Sequence, residues 1–283
     1  MADITLEHIV YAHGKDTPYE LRALDDVSLS IPSGKITGIL GHTGSGKSTM
    51  VQMFNGLLEP DEGRVLIDGT DIWKKPKDMR NVRFRVGLVM QYPEYQLFEE
   101  TVFKDIAFGP QNMGIKEEEI RERVLEAAFF AGLDAELLEK SPFDLSGGQK
   151  RRAAIAGIIA MRPEVLVLDE PAAGLDPRGK EEIFSNLSEY QRKSGTTVVI
   201  VSHSMEDMAR FCDFLLVMAD GKIALQGTPD EVFSKAELLS SIGLDIPQVT
   251  KLLLLLKEKG ICVVGSHYTV ESAYEALVNL LKK

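Results

Sequence analysis

The run Gly41-His42-Thr43-Gly44-Ser45-Gly46-Lys47-Ser48-Thr49 has the spacing G-x-x-x-x-G-K-[ST], the pattern of a loop that wraps a polyphosphate. Its glycines let backbone N–H groups turn inward, and a helix beginning at Lys47 would add the positive end of its dipole. Lys47 is suited to the outer phosphates and the Ser48 hydroxyl to a Mg²⁺ ion. Further along, the apolar run Val165 to Leu168 delivers Asp169 and Glu170 side by side. In phosphate-loop enzymes an Asp so placed helps to hold the metal, and an adjacent Glu can polarise an attacking water. A third segment, Leu145-Ser146-Gly147-Gly148-Gln149, directly precedes another helical pattern and forms a second potential anion site. One terminal phosphate rarely needs two such sites from one chain. The economical arrangement is two chains head to tail, each covering the other's nucleotide.

These residues require elements that hold them at strand ends and helix starts. Ile4 to Val10 and Leu24 to Ile31 read as strands separated by a polar loop with Gly14 and Pro18, and Tyr11 and His13 stand near that loop. Lys35 to Leu40 is a strand that feeds the phosphate loop, and the helix after it runs from Lys47 to about Leu57. A short strand Arg64 to Ile67 follows, and Val86 to Met90 reads as a buried strand ending at Gln91. Between Thr101 and Leu145 the pattern turns helical. Lys116 to Ala131 carries Ile120, Val124 and Ala128 at helical spacing. Gly147 to Met161 and Pro177 to Lys193 are helices, Thr197 to Val201 a strand, and Met205 to Arg210 a helix. Such alternation implies right-handed crossovers and a mostly parallel core sheet, hence an α/β fold. Phe214 to Met218 and Lys222 to Gln226 form a closing hairpin. Beyond Pro229 the composition shifts, and Gln248 to Lys259 and Val270 to Leu281 read as short helices. The first of them holds Leu252 to Leu256, five leucines in a row, which cover too much of a helix for one buried face and suggest a subunit interface as an alternative to ordinary packing.

The chain has 283 residues, 44% hydrophobic and 27% charged, the composition of a globular protein with a proper core. Its formal charge of −11 argues against broad binding to nucleic-acid backbones. Cys212 and Cys262 lack partners at metal or redox spacing and are expected to be buried free thiols of a reducing cytosol. No apolar run approaches the roughly 18 residues of a membrane span, so work at a membrane is expected to go through a partner.

Taken as an ordered set, the motifs resemble the nucleotide-binding subunits of ABC transporters, over about Ile4 to Phe233. The resemblance implies a P-loop ABC ATPase core with a mostly parallel sheet, N-terminal antiparallel strands and a helical subdomain at about 92–160. A small C-terminal helical appendage, 234–283, is expected to follow that nucleotide-binding domain of 1–233. It implies ATP and Mg²⁺ as ligands, with Gly41 to Thr49 around the phosphates and Ser48, Gln91 and Asp169 at the metal. Lys47, Gln91, Glu170 and His203 are the implied catalytic set, His203 contacting the γ-phosphate. Ser146, Gly147, Gly148, Gln149 and Asp176 would meet the nucleotide of a facing subunit. The family stacks an aromatic on adenine after the first strand; here His13 or Tyr11 stands in that place.

Within that superfamily, Gln91-Tyr92-Pro93-Glu94-Tyr95-Gln96-Leu97-Phe98 and Phe108-Gly109-Pro110-Gln111-Asn112 resemble the ATPases of energy-coupling factor (ECF) transporters, prokaryotic importers of vitamins and related micronutrients. The Thr17-Pro18 loop, Gly41-His42-Thr43 and the appendage are similar to their second, A-prime type. This implies a paired second ATPase, a transmembrane coupling protein, an interchangeable substrate-binding membrane subunit, and a position on the cytoplasmic side of the cell membrane. Tyr92, Tyr95, Leu97 and Phe98 would line a groove for a partner helix, with Glu94 receiving an arginine from it. A cobalt or nickel importer ATPase is the nearest alternative. A non-transport ABC ATPase is more remote, because the stretch between phosphate loop and Ser146 lacks sustained heptads.

Overall fold

The computed structural model describes residues 2–263, 265 and 267–281. β1 (Ile4–His13) and β2 (Leu21–Ile31) pair antiparallel, with Ile4 opposite Ile31 and His13 opposite Leu21. Both strands extend further than their alternation suggests. Register shifts between Leu6 and Ala12 break the period-two pattern on which a sequence reading depends. β4 (Glu62–Ile67) and β5 (Thr70–Asp71) complete a sheet of order β2-β1-β4-β5 among the described residues.

The second sheet carries the chemistry. β3 (Ile36–Gly41), β6 (Val86–Val89), β7 (Val165–Asp169), β8 (Thr197–Val201) and β9 (Phe214–Ala219) run parallel, and β10 (Lys222–Gly227) pairs antiparallel with β9. Its order is β10-β9-β3-β8-β7-β6. Both faces are covered, which is why β7 reads as unbroken apolar sequence. Val165 and Val167 pack with β1, β2 and the helix α1 (Lys47–Phe54), whereas Leu166 and Leu168 face the helical side. That side is formed by α3 (Val102–Asn112), α4 (Glu117–Ala131), α5 (Gly147–Ile159), α6 (Pro177–Ser194) and α7 (Met205–Phe211). The remaining helix before α3 is α2 (Met79–Arg85), which buries only Met79 and so has no apolar stripe to announce it.

α1 stops three residues short of the expected Leu57. Gly56 takes φ +65°, and the Leu57 and Leu58 N–H groups both donate to the Gln52 carbonyl, a left-handed helix end. At the C-terminus, α8 (Pro229–Phe233) and α9 (Ala236–Ser241) pack Phe233 and Leu239 into the main core, joined by Leu244 and Ile246. α10 (Gln248–Glu258) buries no side chain, and Leu252 and Leu255 of its leucine run are about half exposed. α11 (Val270–Leu281) buries only Ala273. Cys212 is buried, and burial pushes its thiol pKa up. Cys262, in the segment after α10, is exposed, contrary to expectation. Among the described residues no helix is long and apolar enough to cross a membrane.

Candidate nucleotide site

The phosphate loop connects β3 to α1, and two glycines fix its path. A Cβ on Gly41 would lie 2.5 Å from both the Met218 carbonyl and the Ser45 hydroxyl. Gly46 adopts φ +97°, where a Cβ would lie 2.4 Å from the Ala23 carbonyl. Gly46 also precedes α1 without any side-chain cap, which leaves the first N–H groups of the helix to an anion. Lys47 lies across the loop and donates from Nζ to the carbonyls of Gly41 and His42, each at 2.8 Å. Burial lowers its pKa, opposed by the charges of Glu170 and Asp169. His42 is not in the lining of the cleft, and its Nδ1 is bonded to the Thr43 carbonyl at 2.9 Å.

Asp169, at the end of β7, is 6% exposed. Burial raises its pKa, while a hydrogen bond from the Ser48 hydroxyl and the charge of Lys47 pull it back. A buried carboxylate hydrogen-bonded to a loop hydroxyl suits a hard divalent cation, which would relieve the desolvation of Asp169 and take both oxygens as ligands. Glu170 follows at φ +52°, a left-handed conformation uncommon outside glycine. Its N–H donates to the Val201 carbonyl at 3.0 Å, tying it to the end of β8. That twist presents its carboxylate to His203, whose Nδ1 lies 2.9 Å from Oε1. The Glu170 side chain is 15% exposed and that of His203 74%.

Of the expected site residues, His13, Thr43, Gly44, Gly46, Lys47, Ser48, Thr49, Gln91, Asp169 and Glu170 line one cleft of about 330 Å³. Gly41 and Ser45 lie behind it as loop framework, Ser45 fully buried. At its mouth the His13 Nε2 meets the Thr49 hydroxyl at 3.1 Å. Tyr11 is not in the lining; it packs edge-on against His13, with ring centroids 5.0 Å apart.

Ser146 to Gln149 are absent from this lining. Ser146 and Gln149 close a capping box at the start of α5: the Ser146 hydroxyl accepts from the Gln149 N–H at 3.3 Å, and the Gln149 Oε1 accepts from the Ser146 N–H at 2.9 Å. Ser146 and Gly147 are exposed, and a Cβ on Gly147 would meet nothing within 4 Å. Asp176 caps α6 by accepting from the Gly179 N–H at 2.7 Å.

Residues 24–173 match the family model described as ABC transporter. The Energy-coupling factor transporter ATP-binding protein EcfA2 of Caldanaerobacter subterraneus subsp. tengcongensis is 52% identical, over 99% of this chain and 98% of its own. The chain belongs to the ATP-binding subunits of energy-coupling factor ABC transporters. Among solved structures of the wider ABC family, cbiO1 of Clostridium perfringens, part of the ABC transporter complex cbiONQ, has a TM-score of 0.75 at 40% identity, over 89% of this chain and 98% of that one. The ATP-binding cassette MJ0796, seen as a dimer in a post-hydrolysis state with ADP and phosphate, has a TM-score of 0.72 at 29% identity, covering 80% and 98%.

In this ABC subunit three cleft residues escaped the sequence reading. Leu21, Arg22 and Ala23 line the mouth beside His13. The available signal was strand pairing: Leu21 lies opposite His13 once β1 and β2 are extended to their full length. A further difference concerns Glu94, on the helical turn Pro93–Gln96, which was expected to await an arginine from a partner. It is already paired with Arg151 of this chain, at 3.2 Å.

Proposed function

We propose that this ECF-class ATPase binds Mg²⁺-ATP between its phosphate loop and the Ser146 segment of a second ATPase subunit. Closing of that dimer drives import of a vitamin or related micronutrient. The observation that carries this reading is the split of the motifs. Lys47, Ser48, Gln91, Asp169 and Glu170 share one cleft, while Ser146 to Gln149 lie outside it, with Ser146 and Gly147 exposed. Lys47 would exchange its two loop carbonyls for phosphate oxygens. His13 would face the adenine, with Leu21 beside it and Tyr11 supporting it from behind. Ser48, Asp169 and Gln91 would hold the Mg²⁺, which supplies charge neutralisation on the phosphates. Glu170 would take the proton of a water as its oxygen attacks the γ-phosphorus and the bond to the bridging oxygen breaks, leaving ADP and phosphate. His203, bonded to Glu170, would keep that carboxylate aimed and would contact the γ-phosphate on closure of the dimer.

The membrane side of the reading rests on the surface around Gln91. Tyr92, Tyr95 and Phe98 are 51%, 85% and 58% exposed, and Phe98 packs edge-on to Phe108 with centroids 5.0 Å apart. An aromatic groove of this kind suits an amphipathic helix from a transmembrane coupling protein. That protein would be shared with an interchangeable substrate-binding membrane subunit, and this chain would sit peripherally on the cytoplasmic face. Residues 1–233 form the nucleotide-binding domain, with 92–160 as its helical subdomain, and 234–283 present the leucines of α10 to another subunit.

The test is a Glu170→Gln chain in the assembled membrane complex. Hydrolysis should fall by about 10³-fold with ATP binding retained, and uptake should stop. Normal turnover by that variant would sink the assignment, and purification of the complex would identify the membrane subunits.

A further inference from the structure

We propose that Arg151 is a positioning residue that ties the partner-facing groove to the turn behind Glu170, so that a shift in one moves the other. This rests on the reading of the groove and cleft given above. Arg151 lies on the first turns of α5, close behind the Ser146 cap, and only 6% of its side chain is exposed. Its Nη2 reaches both carboxylate oxygens of Glu94, at 3.2 and 3.4 Å, and its Nε reaches Oε2 at 3.4 Å. Its Nη1 donates to the Ala173 carbonyl. One guanidinium therefore joins three segments: the helical turn bearing Tyr92 and Tyr95, the helix that starts at Ser146, and the chain between Glu170 and Asp176.

The joined segments are stiff. The Ala173 N–H donates to the Glu170 carbonyl at 3.2 Å and the Leu175 N–H to the Ala172 carbonyl at 3.3 Å, so the stretch from Glu170 to Leu175 is braced internally. Glu94 is itself only 18% exposed. Parting a buried ion pair leaves an uncompensated charge, so Glu94 and Arg151 move together unless another cation takes the carboxylate. Arginine suits this task because its planar fork serves a carboxylate and a carbonyl at once, which a lysine ammonium does in no fixed geometry. The neighbouring Arg152 is used differently, pinning the Ala131 carbonyl and Glu182 and so fastening α4 and α5 to α6. Glu94 and Arg151 lie outside the nucleotide cleft. Their influence on hydrolysis must pass through the backbone at Ala173, where a small displacement changes how Glu170 is aimed.

The experiment is a double-mutant cycle in the assembled transporter with Glu94→Gln, Arg151→Met and both together, plus Arg151→Lys, reading kcat and KM for ATP. Each single change should lower kcat by about tenfold or more while KM for ATP stays within about twofold. The double variant should be no slower than Arg151→Met alone, and Arg151→Lys should recover part of kcat. A purely structural role predicts loss of active complex with kcat per folded complex unchanged. The proposal is overturned if Glu94→Gln leaves kcat unaltered, or if the two effects multiply. Should Arg151→Met fail to assemble, Glu94→Gln and Arg151→Lys decide the matter, because one keeps the shape of its side chain and the other the charge. If the unaltered complex hydrolyses ATP without importing anything, the transporter reading fails while the cycle in kcat still reports on this link.

Discussion

Two helix starts in this chain are built for anions, and they are finished in opposite ways. At α1 no side chain caps the helix, a lysine lies across the entrance, and two carboxylates stand behind it. At α5 a serine and a glutamine cap the helix reciprocally, and a Cβ on the exposed Gly147 would meet nothing within 4 Å. The first start leaves its donors uncapped and has one lysine and two carboxylates beside them. The second satisfies part of its own N–H set and leaves Ser146 and Gly147 exposed. Such an end gains little from an anion in water, where screening is strong, but more when a facing protein surface excludes that water. On the proposed function, α1 would supply the pocket of a nucleotide site and α5 its cover.

This contrast can be broken most directly at Gly147. Alanine there meets no atom within 4 Å, so the fold should tolerate it and the Tm should not fall. Steady-state hydrolysis by the assembled complex should nevertheless drop by about 100-fold, since a misplaced cover costs orientation in the transition state. ATP binding to the isolated chain should be unchanged. Full activity in Gly147→Ala would mean that α5 is not the cover.

A smaller effect sharpens the pocket side. His13→Ala should weaken ATP binding by about tenfold, the scale of one base stacked on one ring. Tyr11→Leu should weaken it less, because Tyr11 reaches the cleft only through His13. Titration with a fluorescent ATP analogue would rank the two, and a larger loss at Tyr11 would reverse the assignment.

The smallest expected effect is on stability. Burial holds the Asp169 pKa above its ordinary value, so its charged form costs the nucleotide-free fold stability at neutral pH. That cost fades as the pH falls through the raised pKa. Asp169→Asn removes it, and the Tm of the nucleotide-free chain should rise by about 2 °C at pH 7.5, with the gain shrinking on acidification. Thermal melts without nucleotide between pH 5 and 8 would test both the sign and the trend; a lower Tm at neutral pH would mean that the link to Ser48 and Lys47 outweighs burial.

The loop, the acid pair and the Ser146 segment were legible because each depends on local spacing: glycines where a Cβ cannot fit, acids at the end of an apolar run, a cap three residues before its glutamine. The parallel sheet was legible in Val165 to Leu168 for a related reason, since a strand covered on both faces has no polar side to show. The β1 and β2 ends, α2, and the Leu21 to Ala23 rim were not legible. Bulges scramble alternation, a helix with one buried residue has no stripe, and the rim residues acquire their place only by lying across from His13.

The sequence alone thus determined the fold class, through backbone sterics and hydrophobic periodicity within short windows, and its ordered motifs carried the resemblance to the ABC family and the residues expected around the phosphates. Tertiary structure alone decided that His13 rather than Tyr11 lines the cleft, that Cys262 is exposed, and that Glu94 is held by Arg151. Those facts depend on which distant segments end up within a few ångströms of one another, and contacts between residues 57 apart leave no mark on local sequence.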